Sequence, residues 1–174
     1  MITPQPGAAL GVSRVLLKVL RVLNIGTGLL AIGMLAASYA VEPMFREFFT
    51  KQPPRIDSGL LVPALRLWIL LALPALAALH VQLSRLLAIV ETVGAGDPFV
   101  PENAVRLKTI AWCAVGLALF DLVCGVLAAT MNAAGSHIEW SFSTTGWVAA
   151  ALLFVLAQVF EQGTRIRADL EAMV

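Results

Sequence analysis

Four long apolar stretches run along the chain, and shorter polar segments separate them. A helix needs about 20 mostly apolar residues to cross the hydrocarbon core of a bilayer. The segments that meet this requirement are residues 22–41, 60–83, 109–129 and 140–160. The pattern predicts an all-α membrane protein whose four transmembrane helices form a single four-helix bundle over residues 1–174.

Apolar positions at helical spacing continue beyond the second and fourth segments. After Leu83 the apolar stripe runs on until Gly94, a residue type that commonly ends helices. After Phe160, oppositely charged residues four positions apart, such as Glu161 and Arg165, favour a helical tail. We therefore expect helices 2 and 4 to extend out of the membrane into the cytoplasm.

The first and fourth segments carry informative residues near their ends. Ser38-Tyr39-Ala40 has the small-x-small form of a signal-peptide cleavage site. The apolar run before it is longer than the core of a signal peptide, so a retained helix is favoured over cleavage. In the fourth segment, we expect Trp140 and Trp147 to lie in the headgroup layer as aromatic anchors.

A basic stretch precedes the first segment. Arg14, Lys18 and Arg21 share one helical face, which lies opposite a leucine face, and Ser13 is a suitable N-cap residue. The leucines are Leu16, Leu20 and Leu23. We interpret this stretch as a basic helix lying on anionic lipid headgroups, in preference to a protein-docking site.

The composition agrees with a membrane protein and narrows the function. Hydrophobic residues make up 59% of the chain and charged residues 13%, and the mean hydropathy is +0.86. The formal net charge is +1, and the basic residues are scattered along the chain. Direct nucleic-acid binding needs clustered lysine and arginine, so we exclude it from the expected functions.

The distribution of basic residues predicts the orientation. Eight lysines and arginines adjoin one side of the predicted spans, and three adjoin the other. The eight are Arg14, Lys18, Arg21, Arg85, Arg106, Lys108, Arg165 and Arg167, and the three are Arg46, Lys51 and Arg55. Because cytoplasmic loops carry the excess of lysine and arginine, we expect both termini and the segment between helices 2 and 3 to be cytoplasmic.

That segment, residues 94–108, is the polar connector. Asp97 precedes Pro98 and is therefore disfavoured in helical geometry, whereas Pro101 suits the first position of helix 3. Glu102 is favourable in the positive first turn. These features predict a helical hairpin in which Phe99 packs against the extended helices. The connector also supplies our candidate partner-docking residues, which are Asp97, Pro98, Phe99, Glu102, Asn103 and Arg106.

Several motifs in this half of the chain resemble a known family. The motifs are Gly96-Asp97-Pro98-Phe99, Glu102-Asn103-Ala104, Arg106-Leu107, Ile110-Ala111-Trp112, Ala157-Gln158-Val159-Phe160-Glu161-Gln162-Gly163 and Asp169-Leu170-Glu171. They resemble small four-span bacterial membrane proteins catalogued as a domain of unknown function, over roughly Leu65 to the C-terminus. Members are often encoded beside a short helix-turn-helix regulator of the Cro/repressor type. By association, the resemblance implies a bacterial inner-membrane protein that holds or releases such a regulator.

Two ionisable residues fall within the predicted spans, Arg66 in the second and Asp121 in the third. Charged groups at such depth usually face other helices and pair with one another, so we predict an ion pair between Arg66 and Asp121. Asp121 also lies on a small-residue stripe that we expect to face the interior of the bundle. The other stripe residues are Ala114, Ala118, Gly125 and Ala128. The pair is interpreted as a structural contact between helices, with a ligand or proton site as the alternative.

The leading functional hypothesis is a membrane regulator that binds a small helix-turn-helix protein through its cytoplasmic face. The alternative is small-molecule or ion binding or transport by Arg66 and Asp121. We expect no enzymatic activity, because no nucleophile, base and orienting group occur together. His80 lacks a second ligand at zinc spacing, and His137 with Glu139 is read as a solvated pair, so we expect no metal and no cofactor. A stripe in the first span permits a homo-oligomer and consists of Gly26, Gly33 and Ala37.

The orientation is testable with a cysteine at position 97 in a variant whose native Cys113 and Cys124 have been replaced. We expect a membrane-impermeant maleimide to label this cysteine only from the cytoplasmic side. Labelling only from outside would contradict the predicted topology.

Overall fold

The computed structural model describes residues 6–43, 47, 58–133 and 138–173. In this part the chain is helical, with no strand. The helices are α1 (Pro6–Ala40), α2 (Ser58–Gly94), α3 (Pro101–Ala133) and α4 (Thr145–Glu171). The predicted all-α fold with four helices is confirmed. Some predictions involve residues that lie outside the described part of the chain, namely Arg46, Lys51, Arg55 and His137.

All four helices are long and apolar enough to cross a membrane, which makes this a multi-pass membrane protein. Their lengths are 35, 37, 33 and 27 residues. At about 1.5 Å per residue they measure roughly 40 to 55 Å, against about 30 Å for the hydrocarbon core. Each helix is therefore longer than the membrane core requires, as was expected for helices 2 and 4.

The observed first residues of α1 and α4 differ from those that the sequence predicted. α1 begins at Pro6, so the prediction of Ser13 as an N-cap is wrong, and Ser13 lies inside the helix. Proline is well suited to a first helical turn because its missing N–H has no helical partner there. α4 begins at Thr145, while residues 138–143 before it are not helical. Ser141, Ser143 and Thr144 come directly before α4, and serine and threonine are residue types that favour non-helical backbone at helix starts.

The chain divides into two compact units. The connector unit comprises Met1–Arg21 and Ala78–Val174, and the second unit comprises Val22–Ala77. The connector unit thus contains the N-terminal part of α1, the C-terminal part of α2, the connector, α3 and α4.

In the connector unit, α1 turns its polar side inward. Arg14 and Arg21 are half-buried, whereas Leu16, Lys18 and Leu20 are exposed. In lipid, the apolar face of a helix points outward and its polar face points toward protein, which accounts for the two half-buried arginines. The expectation that the three basic residues lie on lipid headgroups stays a prediction.

α3 and α4 pack side by side in antiparallel directions. The Trp112 and Phe154 rings meet edge to face with centroids 5.4 Å apart. Further along α3, the Cβ atom of Ala118 lies 3.6 Å from where a Cβ atom would stand on Gly146, earlier in α4. Later residues of α3 therefore contact earlier residues of α4, as expected for antiparallel helices.

Small residues form the contact between these two helices. Ala111 of α3 and Ala157 of α4 are completely buried, which lets the two backbones approach closely. The predicted interior stripe on α3 is confirmed at Ala118, Gly125 and Ala128, which are buried, while Ala114 and Asp121 are half-buried.

This close contact predicts that Ala157→Leu destabilises the protein, because no space remains for the added atoms. We expect the free energy of unfolding to fall by about 1–3 kcal/mol, the usual effect of overpacking. Ala151→Leu, at an exposed position of the same helix, is the matched control and should change stability little. Unfolding in detergent micelles by titration with sodium dodecyl sulfate measures both variants, and equal stability of the two would contradict the packing.

Candidate functional site

The connector starts with a tight helix-ending turn. At the end of α2, the N–H of Gly96 donates to Val93 O at 3.1 Å and the N–H of Asp97 donates to Thr92 O at 3.1 Å. Gly96 has a φ of 89°, the left-handed conformation that glycine adopts without strain. This pair of bonds is the Schellman arrangement, which satisfies the last carbonyl groups of a helix. The turn sends the chain from α2 toward α3.

Asn103 is the centre of the connector. Its side chain is completely buried, with 0% exposure. Its Nδ2 donates to Thr92 Oγ1 at 2.8 Å and to Pro98 O at 2.9 Å, and its Oδ1 accepts from Arg106 Nη1 at 2.8 Å. The Thr92 hydroxyl donates in turn to Ile89 O at 2.8 Å. One amide therefore joins the end of α2, the turn and the start of α3.

The backbone continues this arrangement into α3. The N–H of Asn103 donates to Val100 O at 3.0 Å, which closes the first turn after Pro101. Pro101 is the first residue of α3 and Glu102 lies in its first turn, as the sequence predicted. Glu102 is exposed, so its charge is available at the surface of the connector.

Ion pairs fasten the connector and the start of α3 to the end of α4. Asp97 pairs with Arg167. Lys108 Nζ lies 2.7 Å from Glu161 Oε2, and Arg165 Nη2 lies 3.0 Å from Glu161 Oε1. Exposed pairs of this kind each contribute only about 0–1 kcal/mol. Their main effect is therefore to set the position of the α4 tail relative to the connector.

Phe99 adds an apolar contact to the same junction. Its ring centroid lies 5.5 Å from that of Phe160 in α4. A Cβ atom added to Gly163 would lie 2.9 Å from the Phe99 ring, so the missing side chain of this glycine makes room for the phenylalanine. The predicted packing of Phe99 against an extended helix is confirmed for α4, and 42% of the residue remains exposed.

The docking candidates thus differ in their accessibility. Glu102 and part of Phe99 are exposed, Asp97, Pro98 and Arg106 are half-buried, and Asn103 is buried. Sequence reasoning did not identify their structural partners, which are Thr92, Phe160, Gly163 and Arg167. The available signal was the family motif at residues 157–163, because Phe160 and Gly163 lie within it.

Arg66 has its partners in the second unit. Its Nη2 donates to Ser38 O and to Glu42 Oε2, both at 2.8 Å, and its Nε donates to Ser38 Oγ at 3.0 Å. The guanidinium also stacks 3.8 Å from the centroid of the Tyr39 ring. The sequence signal for this cluster was Glu42, an acidic residue directly after the first apolar segment.

Asp121 has its partner in the connector unit. The Trp140 indole N–H points to Asp121 Oδ1 with a donor–acceptor distance of 3.4 Å. The same indole covers Gly125, where an added Cβ atom would come within 2.5 Å of the ring. The predicted ion pair between Arg66 and Asp121 would join the two units, and it stays a prediction.

The described part of the chain holds no group of three or more histidine, cysteine, aspartate or glutamate side chains that could hold a metal ion. The pairing of His137 with Glu139 involves a residue outside that part.

These features define a class, an all-helical multi-pass membrane protein whose polar connector is fastened to its last helix. A family model described as protein of unknown function (DUF2975) matches residues 48–174, and the chain belongs to that family. The match includes α2, the connector, α3 and α4, and it starts upstream of Leu65. No curated protein and no solved structure matches the chain.

The role of the buried amide predicts that Asn103→Ala destabilises the connector. The substitution removes the side-chain donor to Pro98 O and leaves Arg106 Nη1 only its longer bond to Ala88 O, at 3.4 Å. The expected cost is about 1–3 kcal/mol in the free energy of unfolding. Glu102→Ala, at the exposed neighbouring position, should change stability by less than about 0.5 kcal/mol. Unfolding in mixed micelles measures both, and an Asn103→Ala protein as stable as the control would contradict this role.

Proposed function

We propose that this protein is a membrane regulator of the bacterial inner membrane that binds a small helix-turn-helix transcription regulator on its cytoplasmic face. The docking surface consists of the connector and the α4 tail, residues 161–173. The neighbouring gene product implied by the family resemblance is the candidate partner. Both termini are cytoplasmic in this proposal, in agreement with the excess of basic residues on that side.

The observation that carries the proposal is an exposed apolar stripe on the α4 tail. Ile166 and Leu170 are 61% and 58% exposed and lie four residues apart on one side of the helix, and Met173, in the turn that follows, is 75% exposed. Stripes of this kind are what helical partners bind, by packing apolar side chains at positions i, i+4 and i+7.

The position of the stripe supports a protein partner rather than lipid tails. α4 has 27 residues and is about 10 Å longer than the hydrocarbon core of a bilayer. Its C-terminal end adjoins the polar connector, because Arg167 pairs with Asp97. The apolar stripe therefore lies at or beyond the membrane surface.

The charges around the stripe also favour a protein. Arg165 and Asp169 are exposed on the same stretch of α4 and carry opposite charges. A rim of mixed charge around an apolar centre is typical of protein interfaces, whereas a nucleic-acid surface would be uniformly basic. The regulator would thus contact DNA by itself, and the membrane protein would hold or release it.

The proposal is tested with the purified full-length protein and the purified neighbouring regulator. We expect the two proteins to copurify, and the double variant Ile166→Ala, Leu170→Ala to weaken their association by about tenfold or more, as loss of interface anchors does. Val126→Ala, at a 67% exposed position inside the span of α3, is the control and should bind normally. If the wild-type proteins do not associate, or if the double variant binds as tightly as the control, the proposed docking surface is refuted.

A further inference from the structure

Two arginines at the N-terminal end of α1 are half-buried and have no charge partner among the described residues. Arg14 and Arg21 are half-buried and lie on the same side of the helix. They are seven residues apart, which corresponds to about 10.5 Å along the helix. Arg14 reaches the connector, because its Nη2 lies 2.9 Å from where a Cβ atom would stand on Gly94.

Their hydrogen-bonding capacity is unused. Arg14 Nε is buried and has no hydrogen-bond partner. Among the described residues, neither Arg14 nor Arg21 has an ion pair or a side-chain hydrogen bond. Three other arginines of the connector unit have partners within the chain, since Arg106 pairs with Asn103, Arg165 with Glu161 and Arg167 with Asp97. Partly buried cations without acceptors are unfavourable, so the two arginines are suited to an acceptor from outside the chain.

The helix end next to Arg14 explains only part of its position. Gly94 is the last residue of α2, and the partial negative charge at a helix C-terminus attracts a cation. This attraction holds the guanidinium near the connector. It does not provide an acceptor for Arg14 Nε, which stays without one.

We propose that Arg14 and Arg21 bind the phosphate group of an anionic phospholipid headgroup at the connector end of the protein. A guanidinium offers several N–H donors in a planar fork that fits phosphate oxygens. Side chains on a helix lean toward its N-terminus, so Arg21 extends toward the level of Arg14 and the polar connector. Basic pockets between transmembrane helices at the membrane surface bind lipid headgroups in this way.

The exposed Lys18 provides a comparison that distinguishes a specific phosphate site from nonspecific attraction to a basic surface. Lys18 lies between the two arginines in sequence and carries the same charge, but it is exposed. Nonspecific attraction to an anionic membrane is about 1 kcal/mol for each basic residue near the surface, or about fivefold in affinity. Half-buried arginines that donate to the phosphate should contribute more than this, because charge-assisted hydrogen bonds are stronger.

The experiment uses the full-length protein in a neutral detergent, titrated with phosphatidylglycerol or phosphatidylcholine, and bound lipid is counted by native mass spectrometry. We expect phosphatidylglycerol to be retained in preference to phosphatidylcholine. Arg14→Gln and Arg21→Gln should each lower phosphatidylglycerol affinity by about tenfold or more, and Lys18→Gln by no more than about fivefold. Equal losses in all three variants, or no preference for the anionic lipid, would overturn the proposal.

Two further measurements make the result unambiguous. Arg14→Lys keeps the charge and removes the fork, so a phosphate contact predicts weaker binding, while wild-type affinity counts against the site. Inorganic phosphate, added in a separate titration, should displace phosphatidylglycerol because both carry the recognised group. Binding of inorganic phosphate without any binding of phosphatidylglycerol would overturn the lipid as ligand and identify a soluble phosphate compound instead.

Discussion

The buried amide of Asn103 is the interaction on which the connector depends. A chain that leaves one membrane helix and enters the next must satisfy its backbone and side-chain polar groups within a few residues, close to lipid. Asn103 does this by bonding Thr92, the Pro98 carbonyl and Arg106 at once. The Schellman turn at Gly96 precedes this amide and the first turn of α3 follows it. The surface formed by the connector is therefore rigid because its centre is buried.

Lipid as the surrounding medium explains how the helices are arranged. Moving apolar side chains of α3 and α4 from lipid into a helix contact releases little free energy, because lipid is also apolar. Their contact therefore depends on close packing of small residues such as Ala111 and Ala157. By the same reasoning, the N-terminal part of α1 exposes leucines and turns Arg14 and Arg21 inward. These two half-buried arginines form the proposed headgroup site. In the proposed function the apolar stripe of the α4 tail is different, because there it lies near the membrane surface and binds a protein.

Much of the fold could be predicted from the sequence, and less of the site. Helix number, the extension of α2 to Gly94 and the start of α3 at Pro101 follow from apolar periodicity and from glycine and proline chemistry, which act within a few residues. The packing of Phe99 was also predicted, but the role of Gly163 in leaving space for its ring was not. The pairing of Asp97 with Arg167 joins residues 70 positions apart. No local pattern specifies such a contact, because either charge could have found another partner.

The sequence by itself determined that this protein has four helices that can cross a membrane and where its polar connector lies. It could do so because the length and hydropathy of a span depend only on consecutive residues. Only the tertiary structure decided which side of each helix faces protein, that Asn103 is buried, and that the family motifs at residues 96–99 and 157–163 meet at one junction. These outcomes depend on how α3 and α4 pack. Packing selects among many faces that are equally apolar in the sequence.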